Sequence, residues 1–144
     1  MTNYMKSKFI NKQICYDGTQ LRSHWIMDTT GIIGDAIVSF IGPADVSTKH
    51  MVDLVDVRDN ATIFSKSMLH FIVEHFDSDL TLTIARQRIL IAIAFEEINK
   101  AKLKRISNDI YLDNKKMSVA IATSSPVSSL IHFGINIISQ GTPV

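Results

Sequence analysis

Apolar positions fall into three different rhythms along the chain. In the first half, Leu21 to Met27, Ala36 to Ile41 and Met51 to Val57 are short apolar runs separated by turn signals at Thr29 to Gly34 and Gly42-Pro43, which predicts three strands. Ala36-Ile37-Val38-Ser39-Phe40-Ile41 is apolar on both alternating faces, as a strand covered on both sides requires. Between Ser65 and Phe76 the rhythm changes: Leu69, Ile72, Val73 and Phe76 stand at i, i+3, i+4 and i+7, which predicts a helix. Asp77-Ser78-Asp79 supplies a stop and a new N-cap, and a second helix is expected to about Lys100, with Ile91, Ala94, Phe95 and Ile98 repeating the spacing. Because Ile89 to Phe95 holds no polar residue, that helix is expected to be buried nearly all round.

The last third returns to strands. Ile110 to Leu112 and Lys116 to Thr123 flank Asp113-Asn114, residues that tolerate turn geometry, so a hairpin is predicted. After Ser124-Ser125-Pro126 a final strand spans about Ser129 to Ile138. Strands, helices and strands in that order predict an α+β domain: a mostly antiparallel mixed sheet with helices packed on one face.

Composition narrows the function classes. At 144 residues, 1–144 reads as a single domain; 46% hydrophobic and 20% charged residues exclude a disordered tail or a fibre. A net charge of +1 gives no global field, so a nucleic-acid partner would need a local patch, and DNA binding is not expected. The lone Cys15 cannot form an intrachain disulfide, which fits the cytoplasm. No signal peptide is read, and Ile89 to Phe95 is far shorter than the roughly 20 residues a membrane helix needs.

The two final strands carry the candidate chemistry. By alternation, Lys116, Ser118, Ala120 and Ala122 share one face, and His132, Gly134 and Asn136 share a face of the next strand. A five-residue loop would set Lys116 opposite Asn136, Ser118 opposite Gly134 and Ala120 opposite His132, while a four-residue loop would break that match. Small side chains bounded by a lysine, a histidine and an amide suit a ligand-facing wall; a solvated sheet face would look the same.

Residues 105–121, Arg105-Ile106-Ser107-Asn108-Asp109-Ile110-Tyr111-Leu112 followed by the turn and Lys116-Met117-Ser118-Val119-Ala120-Ile121, resemble the K-W-P-N-D-I-Y-L, turn, K-L-A/S-G-I block of biotin and lipoate protein ligases. Ile131-His132-Phe133-Gly134-Ile135-Asn136-Ile137 is similar to their G-I/L-x-I/L-N-V strand. Together with Met68-Leu69-His70-Phe71, Arg86-Gln87-Arg88 and Gly141-Thr142-Pro143-Val144, the whole chain resembles an uncharacterised prokaryotic family of that superfamily.

The resemblance implies a cofactor-ligase-like catalytic fold, with ATP or an acyl nucleotide and magnesium as the cofactor class. It implies that Lys116 contacts a reacting carbonyl or phosphate, that Asn108 and Asp109 brace the pocket's mouth, and that Ser118, His132, Gly134 and Asn136 line it. An ammonium about 4 Å from a developing negative charge gains roughly 4 kcal/mol at an effective dielectric near 20. The sequence departs from the pattern at Arg105 for lysine, Ser107 for proline and Val119 for glycine. Neither the Gly/Arg-rich loop of biotin ligases nor the Arg/Gly-rich loop of lipoate ligases is found, Thr29 to Gly34 being a weak substitute, and Cys15 does not match the octanoyl-transferase nucleophile. For a ligase the chain is short, so a reduced or missing carboxyl-terminal segment is allowed for.

Other constellations point elsewhere. His70, Glu74 and His75 invite a zinc-hydrolase reading, but histidines five apart stand about 140° around a helix, and a local His70–Glu74 contact is the simpler expectation. Asp53, Asp56 and Asp59 recur every three residues and suit either nucleotide-borne magnesium or a solvated turn. Arg86 and Arg88 open the second helix, where the macrodipole disfavours cations, which points to an anion or acidic partner. Lys100, Lys102, Lys104, Arg105, Lys115 and Lys116 form a basic cluster suited to phosphate, an acidic carrier protein or RNA, or simply to water. The expected function is binding of a small carboxylate or acyl-nucleotide ligand with acyl or cofactor transfer to an acidic carrier. The alternative is a non-catalytic binding or interaction domain on the same fold. A homodimer is also allowed; no metal site and no membrane partner are assigned.

Overall fold

The computed structural model describes residues 5–46, 63–98 and 101–137. Five strands form the main sheet: β1 (Lys6–Phe9), β2 (Ala36–Val46), β3 (Ile63–His75), β7 (Ser118–Ser124) and β8 (Ser129–Asn136), in the order β1-β2-β3-β8-β7. Only β1 and β2 run parallel; the other neighbours are antiparallel. A smaller sheet comprises β4 (Leu103–Ile106), β5 (Asp109–Leu112) and β6 (Lys115–Lys116). The helices are α1 (Trp25–Thr30) and α2 (Leu80–Ile98). The α+β class and mixed sheet expected from the element order are observed.

β2, α2, the β5–β6 hairpin and β8 fall where the sequence predicts them. Asp79 caps α2, its carboxylate accepting the Leu82 N–H at 3.0 Å. Asp113 and Asn114 both take left-handed φ, at 51° and 65°, the geometry that lets a two-residue turn follow the strand twist.

Several expectations fail. Gly42-Pro43 is not a turn but a shift of register inside β2, and Lys116 to Thr123 is not one strand: it breaks at Met117 into β6 and β7, which belong to different sheets. Ser65 to Phe76 is not a helix but most of β3. Its residues serve two covered faces: Met68, His70, Ile72 and Glu74 point one way and Leu69, Phe71 and Val73 the other, so a strand covered on both sides mimics helical spacing. Leu21 to Met27 is not a strand, because Trp25 opens α1. Nor is α2 buried all round: Ile89 and Ile93 are 59% and 51% exposed, since only one side of the helix meets the sheet. The strand expected over Met51 to Val57 lies outside the described residues, as do Asp53, Asp56 and Asp59.

The core lies on both faces of the main sheet. On one, Val38, Phe40 and Ile72 pack under Tyr16, Trp25 and Ile26, which come from the segment between β1 and β2. On the other, Phe133, Ile135 and Phe71 pack against Ile91, Leu90, Ala94 and Phe95 of α2, with Ile110 of the small sheet. Tyr16 is drawn along the edge of β2 by two backbone bonds, Tyr16 N–H to Pro43 at 2.8 Å and Asp45 N–H to Tyr16 at 2.9 Å. Among the described residues no helix is long and apolar enough to cross a membrane.

Candidate functional site

The β7–β8 register decides which predicted residues meet. Ser124 pairs with Ser129, so the loop has four residues, and Ser118 stands opposite Ile135, Val119 opposite Gly134 and Ile121 opposite His132. The five-residue loop is thereby corrected. Ser124 to Ser129 closes through a side-chain network, in which the Ser125 Oγ accepts the backbone N–H of Val127 and of Ser128 at 3.1 Å each, and that tightens the loop by one residue. One residue of slip turns every side chain of a strand to the other face. Ser118, Ala120 and Ala122 therefore lie on the α2 side, while His132, Gly134 and Asn136 lie on the Tyr16 side with Val119 and Ile121.

On the α2 side, the buried Ser118 hydroxyl accepts the Ile110 N–H at 2.9 Å and joins the two sheets. Lys116, in the small sheet, pairs with Tyr111, and its Nζ lies 3.4 Å from Asp109 Oδ1 with both side chains 38% exposed. Asn108 Oδ1 accepts the Arg88 Nε–H at 2.7 Å, and Arg86 meets Asp77 at 2.8 Å. Arg86 thus has its anion within the fold, while Arg88 meets only neutral oxygens and lies beyond the first turn of α2, where the dipole has faded. Hydrogen bonds from Arg86 and Ser129 overcome burial and hold the Asp77 carboxyl below its usual range.

On the Tyr16 side lies an arrangement the linear sequence did not reveal. His70 Nδ1 and His132 Nε2 are 3.0 Å apart, and His70 Nε2 is 3.0 Å from the Gly42 carbonyl. A carbonyl only accepts, so His70 donates from Nε2; its bare Nδ1 then accepts a proton donated by His132 Nε2. The Tyr16 ring stacks on His132 with centroids 3.7 Å apart, and Phe40 stacks on His70 at 5.0 Å. Gly134 stands opposite His70 and leaves space beside the His132 ring: an added Cβ would lie 3.1 Å from Met68 Cε and 3.5 Å from His132 Cε1. Burial pushes the His70 imidazole from 6.5 down to about 4, against smaller opposing effects of the Gly42 and Pro43 carbonyls. Burial, and then His70 itself, pushes His132 well below the usual histidine range. Burial drives the Tyr16 phenol far above its ordinary value, with Asp17 adding to it. Both imidazoles are thus neutral at physiological pH and act as hydrogen-bonding groups.

The expected His70–Glu74 contact is not made. Both residues face the same side of β3, but Glu74 takes the His24 N–H and the Ser128 hydroxyl, while His75, an odd number of residues away, faces the opposite side. Among the described residues no group of three or more His, Cys, Asp or Glu is arranged to hold a metal ion. Thr29 to Gly34 does not fit a triphosphate. It has no cationic residue of its own, the nearby Lys6 ammonium being spent on the Ile33 carbonyl at 2.9 Å, Gly31 ends α1 with φ 79°, and Ile33 is 70% exposed. Sequence reasoning missed Tyr16 and read His70 as a residue of a polar helix face in contact with Glu74, or as a metal ligand; the available signal was a histidine embedded in each of two apolar runs.

A family model described as "Domain of unknown function (DUF366)" matches residues 5–144. The chain is 40% identical over 147 residues to the uncharacterized protein MJ0805 of Methanocaldococcus jannaschii, covering 97% of this chain and 66% of that relative. It is similar to a protein of unknown function from Pyrococcus horikoshi, with TM-score 0.92 and 38% identity over 98% of this chain and 77% of that one. It also shares the fold of the biotin acetyl coenzyme A carboxylase synthetase of Helicobacter pylori with bound biotinylated ATP, with TM-score 0.60 and 12% identity over 96% of this chain and 64% of that one. The architecture is that of biotin/lipoate protein ligase catalytic domains.

Proposed function

The chain belongs to the DUF366 family, and from that premise we propose that it binds a small carboxylate or acyl-nucleotide ligand and transfers the acyl group to an acidic carrier protein. The observation that supports this reading is Lys116. Its ammonium is half-exposed and held by Asp109 at 3.4 Å, a contact loose enough to be exchanged for a ligand's carboxylate or phosphate oxygen. The ammonium would neutralise charge developing on the acyl carbonyl. In this proposal Asp109 sets the resting position of Lys116 and Asn108 fixes the preceding turn through Arg88. Ser118 ties the two sheets together next to β6, whereas His132, Gly134 and Asn136 stand on the opposite face of the main sheet, with His132 buried against Tyr16 and His70, and are left out of the Lys116 site.

The exposed cations Lys104, Arg105 and Lys115 on the small sheet and Lys102 just before it suit an acidic acceptor, Lys100 lying outside the described residues, and the exposed Leu82, Ile89 and Ile93 of α2 suit a second copy of the chain. Cys15 keeps the cytoplasm as the proposed location. A non-catalytic binding domain is the second reading, favoured by Val119, whose side chain occupies the position where a ligase glycine would let backbone approach the ligand.

A thermal-shift panel of biotin, lipoate, octanoate and acyl-adenylate analogues tests binding, with stabilisation of about 2.7 kcal/mol expected at a hundredfold excess over Kd. Lys116→Ala should lower turnover about a hundredfold while leaving the melting temperature unchanged. An unaltered rate removes Lys116 from the chemistry, and binding without turnover selects the second reading.

A further inference from the structure

The end of the main sheet away from Lys116 carries a second concavity. A depression of about 280 Å³ opens beside α1 and the start of β2, lined by Met27, Ile32, Ile33, His24, Phe76 and Glu74. Glu74 is 1% exposed. A glutamate so deeply buried ordinarily has a cation beside it, because an ionised carboxylate away from water is costly without one. Here its donors are neutral: the His24 backbone N–H, at 3.1 Å from Oε2 and 3.3 Å from Oε1, and the Ser128 hydroxyl on Oε2. None of the ion pairs among the described residues includes Glu74. Oε1 has only the longer share of a bifurcated bond, which leaves acceptor capacity unused.

The walls match that missing charge. Met27, Ile33 and Phe76 are each more than a third exposed, so the mouth is apolar and open to solvent. The His24 and Phe76 rings pack on each other in its wall, with centroids 5.6 Å apart, and an aromatic face attracts a cation that comes to rest on it. Asp35 adds a second carboxylate to the wall, with Oδ1 fixed by the Phe76 N–H at 2.8 Å.

We infer that this depression is a binding site for a small organic cation, an alkylammonium or alkylguanidinium group on a short apolar body, with Glu74 as its counter-ion. The site is separate from Lys116. The hydrogen bond from His24 to Glu74 also anchors α1, a role that needs neither the cavity nor its apolar rim.

Nuclear magnetic resonance titration of the full chain with n-butylammonium and n-propylguanidinium, against 1-butanol as the neutral isostere, tests the inference. Both cations should shift the resonances of His24, Met27 and Phe76 saturably, and 1-butanol should bind at least about tenfold more weakly. Glu74→Gln should weaken cation binding about thirtyfold. Because Glu74 also anchors His24, two variants at the exposed rim keep the test decisive if the glutamine variant fails to fold. Ile33→Trp should fill the mouth and abolish binding without lowering the melting temperature. Ile33→Arg should supply a tethered cation, abolish binding and raise the melting temperature. Absence of a saturable response to either cation, equal responses to cation and alcohol, or unchanged binding in Ile33→Trp each overturns the assignment.

Discussion

Acidification from pH 7 towards pH 4 presses protons onto two imidazoles that the fold keeps neutral. His70 is fully buried, donates to the Gly42 carbonyl and accepts from His132, so a proton on its Nδ1 would remove that acceptor and leave a charge away from water. Its affinity for a proton falls from an ordinary 6.5 to about 4, which corresponds to roughly 3 kcal/mol of folding free energy. The unfolded chain binds the proton more tightly, so this stability is fully present above pH 6.5 and is lost as pH falls from there towards about 4. One proton contributes a slope of at most about 1.4 kcal/mol per pH unit, and His132, shifted in the same direction, adds a second. Urea unfolding at intervals across that window measures the slope. Carboxylates contribute to it too, and His70→Gln separates them. A glutamine amide can still donate to Gly42 and accept from His132, but it does not titrate. Its slope should be shallower than that of the wild type by close to one proton. An unchanged slope in His70→Gln, or a wild type that gains stability in acid, would refute the neutral-pair assignment.

Three further outcomes are expected. Gly42→Ala should destabilise the fold by about 3 kcal/mol or more, or prevent folding, because the new Cβ would collide with the Ile14 backbone carbonyl; denaturant titration measures it. Tyr16→Ala should cost about 3 to 5 kcal/mol in the same assay, and Tyr16→Phe far less, if the stacked ring rather than its hydroxyl holds His132 in place. Asn114→Gly should raise stability by up to about 1 kcal/mol, since Asn114 holds φ 65° in a turn where glycine meets no Cβ penalty; thermal unfolding reads the gain.

Legibility varied with how many faces each segment buries. α2 buries one face, on which Thr83, Gln87 and Ile91 recur every four residues, so its period survives in the sequence. The β5–β6 hairpin was readable because Asp113-Asn114 carries turn chemistry of its own. β3 was not, because it is covered on both faces and its polar residues are internal. His70 and Glu74 look like a polar helix face until their partners are known, and those partners stand 62 and 54 positions away, at His132 and Ser128. The Lys116 wall was legible only in part: Ser118 to Thr123 is a strand as expected, but Lys116 leaves it for the small sheet, and a loop one residue shorter sends Ser118 and His132 to opposite faces.

By itself the sequence determined the α+β class, the positions of β2, α2, β5 and β8, the turn at Asp113-Asn114 and the resemblance to biotin and lipoate ligases. These are set by local spacing, turn residues and short contiguous motifs. Tertiary structure alone decided the strand register, the His70–His132–Tyr16 stack and the burial of Glu74 without a cation. Each depends on which side chains meet across strands far apart in the chain, and a one-residue slip in pairing exchanges one face of the sheet for the other.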